Sequence, residues 1–134
     1  KGHANLYFNL SHSGNFAVCI VAGMPCGIDI EGNRPFKPSV AKRFFSETEY
    51  HWIYDTENVS VQAKRFFRLW TLKEAYAKAT GNGIAAEIYA ASYVPDTNND
   101  GLCFADSETA AHFQIKEAEY NGLQIAVVLS DSAF

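Results

Sequence analysis

The sequence is short of basic charge, short of cysteine and without a long apolar run, and each shortage removes a class of function. Its 15 acidic and 11 basic side chains leave a formal net charge of −4, whereas a nucleic-acid backbone binder carries a basic stripe. No nucleic-acid partner is expected, and any nucleotide the chain meets is a small one. The three cysteines, Cys19, Cys26 and Cys103, are odd in number, match no zinc-ligand spacing and sit in strand-like apolar contexts, so they read as buried free thiols. No apolar stretch is long enough to span a bilayer, and the opening KGHANLYF has neither the layout nor the cleavage site of a signal peptide. No membrane partner is expected, and the cytoplasm is the expected location. Internal repeats, low-complexity tracts and linkers are missing as well.

What is present is a chain of 134 residues with 48% hydrophobic and 14% aromatic content, enough for one domain over residues 1–134 with a core of its own. Its longest helix signal is Arg65 to Gly83, RFFRLWTLKEAYAKATGNG. Glu74 and Lys78 stand four apart there, so a helix places them one turn from each other on one face. Gly81 supplies the left-handed residue that commonly follows a helix end. Taken alone, such a pair is also the commonest surface ion pair of helical proteins.

In chain order, Leu6–Leu10 reads as a strand that stops at a polar turn, Ser11-His12-Ser13-Gly14. Phe16–Ala22 is a continuous apolar run, predicting a strand buried on both faces. Gly27–Glu31 resumes the extended pattern, with Ile28 and Ile30 on one face and Asp29 and Glu31 converging on an outer spot of the other. Ser39 is predicted to cap a short helix through Phe45, Ser46 and Glu49 form the capping box of a second, and Ser60 caps the long helix running to about Thr80. Beyond Gly83 the pattern turns extended, over Ile88–Val94, Leu102–Phe104, Ala111–Glu117 and Leu123–Leu129. The turn Asp96–Gly101 imitates half a calcium loop, but Ser107 stands at position twelve, where that loop needs glutamate. Arg65 and Arg68 read as a solvated helix face. Strands, then helices, then strands predict an α+β fold: an antiparallel sheet covered by helices on one face.

Asp29 and Glu31 from a strand, with Glu74 from a helix, are the hard oxygen donors that a magnesium ion holding phosphates uses. Lys78 can then neutralise a phosphate. His12, between two serines, can donate to a phosphate from its turn, although by itself it reads as an unliganded turn histidine.

The motifs NLSHSGNF, GIDIE, AKRFFSETEY and RLWTLKEAYAKATGNG, in that order over the first two thirds of the chain, resemble the phosphopantetheinyl transferase superfamily. They resemble in particular the C-terminal half of its two-domain, surfactin-synthetase-activating type. The resemblance implies transfer of the phosphopantetheine arm of coenzyme A to a serine of an acyl or peptidyl carrier protein, releasing adenosine 3′,5′-bisphosphate, with magnesium on the pyrophosphate. It implies Asp29, Glu31 and Glu74 as metal ligands and Glu74 as the base that deprotonates the serine, with Glu31 the alternative base. Lys78 would contact the pyrophosphate, while Ser11 and His12 would bind the adenosine bisphosphate end. The stretch Phe36–Tyr54, with Lys37, Lys42 and Arg43, would dock the acidic helices of the carrier. Two-domain members also have a preceding half, so either a missing N-terminal half or a homo-oligomer, as in the small holo-acyl-carrier-protein synthases, is expected to complete the cleft. A non-catalytic module binding coenzyme A or a carrier is the alternative function, as is an inactive fragment.

Overall fold

The computed structural model describes residues 5–32, 34–81 and 91–131. Two strands open the chain, β1 (Tyr7–Ser13) and β2 (Phe16–Ala22), followed by β3 (Cys26–Gly32). Three helices come next, α1 (Pro38–Phe44), α2 (Glu47–Tyr54) and α3 (Val59–Thr80). The short strands β4 (Tyr93–Pro95) and β5 (Leu102–Phe104), a single helical turn α4 (Ser107–Ala110), and β6 (Phe113–Tyr120) and β7 (Leu123–Ser130) complete the order. The central sheet runs β3-β7-β6, all antiparallel, with Asp29 opposite Ala126 and Glu31 opposite Gln124. β1 with β2 and β4 with β5 form separate antiparallel pairs. The expected α+β class holds, with the antiparallel strands divided among three sheets. Among the described residues no helix is long and apolar enough to cross a membrane.

α3 lies along β3 and β7, burying Leu69, Leu72 and Ala75 completely against a core that includes Ala126 and Val128. Gly27 lets it come this close: a Cβ there would stand 2.0 Å from the carbonyl oxygen of Ala75 and 2.9 Å from Cβ of Lys78. Phe66 stacks between Phe36 at 4.6 Å and Trp70 at 6.1 Å, tying α3 to the loop before α1. We expect Gly27→Ala to push helix and sheet apart and cost about 1–3 kcal/mol, the scale of overpacking a core. Gly23→Ala, where an added Cβ meets nothing within 4 Å, should leave the urea midpoint nearly unchanged.

Local signals were realised unevenly. The Ser46–Glu49 capping box is present in full, and Gly81 closes α3 with φ of 75°. The long helix is capped by Asn58 and not Ser60, because starting one residue past Asn58 lets Val59 and Ser60 join the first turn. α1 starts at Pro38 with no side-chain cap, so Ser39 lies inside it; proline's fixed φ and missing N–H suit the first helical position. The SHS segment continues β1 instead of turning, and the reversal falls at Gly14, with φ of 58°. β2 is not buried on both faces, since its residues alternate between half-buried and exposed. The expected strand at Ile88–Val94 is seen from Tyr93; residues 88–90 lie outside the described residues, as do Asn82 and Gly83. Cys26 is buried and Cys103 half-buried, but Cys19 is exposed. Arg68 is no solvated side chain: it donates to both carboxylate oxygens of Glu117, at 2.9 and 3.1 Å, and to the carbonyl of Asp100 at 2.8 Å. Arg65 likewise pairs with Asp55 and donates to the Trp52 carbonyl at 2.6 Å.

Candidate active site

β3 and α3 supply the site. Strand alternation puts Asp29 and Glu31 on the same face as Gly27, and that face looks onto α3 because Gly27 touches Ala75 and Ala79. Asp29 therefore does not lie on an outer spot: it is 7% exposed, about as buried as Ile28 at 5%, whereas the Glu31 side chain keeps 28% of its surface exposed. The expectation failed because strand alternation fixes a face without saying what covers it.

Ser11, Asp29 and Lys78 come together. Ser11 Oγ donates to Asp29 Oδ1 at 3.0 Å and accepts from the Ile30 amide at 3.3 Å. Lys78 Nζ stands 3.5 Å from the same Asp29 oxygen and donates to the carbonyls of Ile28 at 2.8 Å and Leu10 at 3.3 Å. The second oxygen, Asp29 Oδ2, is buried with no hydrogen-bond partner. Lys78 thus pairs with Asp29 rather than with Glu74, the neighbour that helical spacing offered. Glu31 is held by Arg34 at 3.2 Å, a partner the sequence reading missed although the i,i+3 spacing was visible. His12 is exposed on the face of β1 opposite to Ser11, so the structure does not bring these two together.

Glu74 is half-buried, and burial, with the nearby charges of Asp29 and Glu31 against the opposing pull of Lys78, pushes its carboxyl up to about 7. Burial likewise pushes Asp29 up to about 6, against the lowering effects of Lys78 and the Ser11 hydrogen bond, with Glu31 raising it further. The mutual influence of Asp29, Glu31 and Glu74 places all three in one electrostatic neighbourhood. Two clefts flank them. One, of about 390 Å³, has Glu31 and Glu74 at its polar side and Phe36, Phe44, Phe66 and Trp70 as its apolar wall. The other, of about 290 Å³, is reached by Lys78 near the end of α3. A larger cleft of about 520 Å³ lies by Arg68 and the Asp96–Gly101 turn, but Arg68 and Glu117 there neutralise each other, so we place the chemistry beside Glu74.

The donor set suits a hard cation in kind: it offers carboxylate oxygens only, one of them buried and unsatisfied. Among the described residues, no three histidine, cysteine or acidic side chains are gathered closely enough to hold a metal ion as they stand. One consequence can be measured. The folded protein keeps protons on Asp29 and Glu74 at pH values where the unfolded chain, with ordinary values of 3.8 and 4.5, has lost them. Their contribution to stability is therefore present below about pH 4 and is lost as pH rises to about 7. We expect magnesium to raise the unfolding temperature at pH 7.5 and not at pH 5, and the Asp29→Asn/Glu74→Gln variant to lose that difference.

α3 and the antiparallel sheet thus gather carboxylates beside a lysine, next to a cleft with an aromatic wall. A model of the 4′-phosphopantetheinyl transferase superfamily matches residues 25–128, and the chain belongs to that superfamily. Over 80 residues it is 42% identical to the 4′-phosphopantetheinyl transferase gsp of Aneurinibacillus migulanus, covering 60% of this chain and 33% of that one. It is 51% identical over 85 residues to the 4′-phosphopantetheinyl transferase HetI of a Nostoc species, covering 61% and 35%. The chain spans about a third of the length of these relatives. Its fold resembles that of Helicobacter pylori holo-acyl-carrier-protein synthase, solved in complex with coenzyme A, with a TM-score of 0.59 at 22% identity over 78% of this chain and 98% of that one.

Proposed function

We propose that the protein moves the phosphopantetheine arm of coenzyme A onto a serine of an acyl or peptidyl carrier protein, in a magnesium-dependent reaction. Membership of the superfamily and the names of the relatives support the reaction class. The single observation that carries the residue assignment is the buried Asp29 carboxylate, one oxygen bound by Ser11 and Lys78 and the other free, lying in the field of Glu74.

Asp29, Glu31 and Glu74 are the residues to hold magnesium, which when bound offsets charge on the pyrophosphate oxygens. The serine Oγ forms a bond to the phosphorus that carries the pantetheine arm. The bond from that phosphorus to the bridging oxygen breaks, and the electron pair leaves on adenosine 3′,5′-bisphosphate. Glu74 takes the serine proton, its raised pKa of about 7 matching proton transfer near neutral pH; Glu31, engaged by Arg34, is the second candidate. Lys78 meets negative charge on the leaving phosphate, and Ser11 and His12 serve the adenosine bisphosphate end. The aromatic surface Phe36–Tyr54 and the basic side chains Lys37, Lys42 and Arg43 dock the acidic carrier.

The match leaves about two thirds of each relative uncovered, and residues 1–134 are on this reading the C-terminal half of a two-half enzyme, a homo-oligomer being the other way to complete the cleft. Incubation with apo carrier protein, coenzyme A and magnesium, with any second half restored, should add one phosphopantetheine to the carrier by mass and release adenosine 3′,5′-bisphosphate. No mass gain under those conditions overturns the reaction. Coenzyme A binding without transfer would favour the non-catalytic module instead.

A further inference from the structure

Arg34 stands beside the carboxylates and has no task in the reaction above. It lies two residues past the end of β3, with its guanidinium 3.2 Å from Glu31 Oε1 and 5.0 Å from the centre of the Phe67 ring on α3. It lines the cleft of about 390 Å³ that holds Glu31 and Glu74, and also a neighbouring cleft of about 320 Å³ with Lys64 and Phe67. Arg34 is therefore on the rim between the two.

Two ion pairs offset charge in the site, and they differ in kind. Lys78 of α3 meets the buried Asp29 while donating to carbonyls of β1 and β3, so three elements hold it in place. The Arg34 side chain is 54% exposed and reaches Glu31 at one point. An exposed pair of this sort contributes little to stability. A single contact also orients a carboxylate poorly, unlike the two-point grip of Arg68 on Glu117. What Arg34 supplies is charge, and the site has need of it: Asp29 and Glu31 both oppose ionisation of Glu74.

We infer that Arg34 is a releasable counter-ion for Glu31: it offsets that carboxylate's charge and gives way when Glu31 turns its oxygens to magnesium. The inference rests on the magnesium reading above, and it makes Arg34 a positioning residue that acts through Glu31. A guanidinium and a divalent cation compete for the same carboxylate, and a positive charge a few ångströms from a metal opposes its binding. Of the two cations in the site, Arg34 is the one able to yield, because its pair is exposed and single-point whereas Lys78 is tied to Leu10, Ile28 and Asp29. Once released, the guanidinium keeps a second anchor, the face of Phe67.

The experiment is isothermal titration with magnesium chloride at pH 7.5, any second half restored, first without and then with coenzyme A. Four proteins are compared: wild type, Arg34→Gln, Arg34→Lys and Lys116→Gln. Lys116 is exposed on β6, which β7 separates from β3, so its loss changes the net charge equally but away from the site. Arg34→Gln is expected to bind magnesium roughly three- to tenfold more tightly, the salt-screened effect of removing one nearby charge. Arg34→Lys, which keeps the charge, and Lys116→Gln should stay near wild type, and circular dichroism should be native in all four. The rise in unfolding temperature at a fixed magnesium concentration should grow in Arg34→Gln accordingly. Equal magnesium affinity in wild type and Arg34→Gln overturns the counter-ion role and leaves the magnesium reading standing. Weaker binding in Arg34→Gln makes Arg34 an orienting group for Glu31 and overturns it as well. An equal gain in Lys116→Gln traces the effect to net charge alone and does the same. No magnesium binding by any of the four, with coenzyme A or without it, overturns the magnesium reading, and the inference falls with it.

Discussion

Replacing Glu74 with glutamine is expected to lower phosphopantetheine transfer by about 10³-fold or more while the protein stays folded. A misplaced or missing general base alone costs about 10²–10⁴-fold, and the same substitution removes one of the three proposed magnesium ligands. The variant also takes away a carboxyl whose ionisation is opposed by burial and by Asp29, so its unfolding temperature at pH 7.5 without magnesium should equal or exceed that of the wild type. Loss of activity with retained or increased stability separates a chemical role from a structural one. Transfer within threefold of wild type would remove Glu74 from the mechanism.

The second large effect concerns stability. Glu49 and Lys73 form an ion pair of 3.0 Å with side chains 0% and 1% exposed. Glu49 also accepts from the amides of Ser46 at 2.9 Å and Tyr93 at 2.8 Å, and Lys73 donates to the Ala91 carbonyl at 2.9 Å beneath the rings of Phe45 and Tyr93. Burial lowers the pKa of Lys73, and Glu49 partly offsets this. One knot therefore ties the start of α2, the middle of α3 and the entry to β4. Breaking such a pair from one side leaves a buried charge alone and costs about 3–5 kcal/mol, a large share of the 5–15 kcal/mol that holds a typical domain folded. Lys73→Met and Glu49→Gln should each lower the unfolding free energy measured by urea titration by that amount. The double variant Glu49→Gln/Lys73→Met, which removes both charges, should be less destabilised than Lys73→Met alone. Strict additivity of the two single effects would contradict the pairing. Because Lys73 directly precedes Glu74 on α3, the knot also fixes the rotation of the helix that presents Glu74.

Glu49 shows where sequence reasoning stops. Its role in the capping box follows from three-residue spacing after Ser46, and the structure has it, but its pairing with Lys73 joins segments far apart in the chain, and no local period marks it. Lys73 itself was not singled out by the sequence. The positions of Glu74, Lys78 and Gly81 followed from helical spacing and capping chemistry, which are local. The burial of Asp29 did not, because it depends on α3 settling onto β3 over Gly27. Arg68 failed for the same reason: a helix face looks solvated until a distant strand brings Glu117 to it. The hairpin misled in another way, since a continuous apolar run predicts burial, and β2 instead has one apolar face that the described residues leave exposed.

The central claim is that Asp29, Glu31, Glu74 and Lys78 form one site for a metal and a pyrophosphate. Isothermal titration of the protein with coenzyme A, with any second half restored and with and without magnesium, tests it most directly, using wild type, Asp29→Asn and Lys78→Met. The account predicts magnesium-enhanced binding in the wild type, loss of the enhancement in Asp29→Asn, and weakened binding in Lys78→Met in either buffer. Coenzyme A affinity that is the same with and without magnesium, and unchanged by both substitutions, would contradict it.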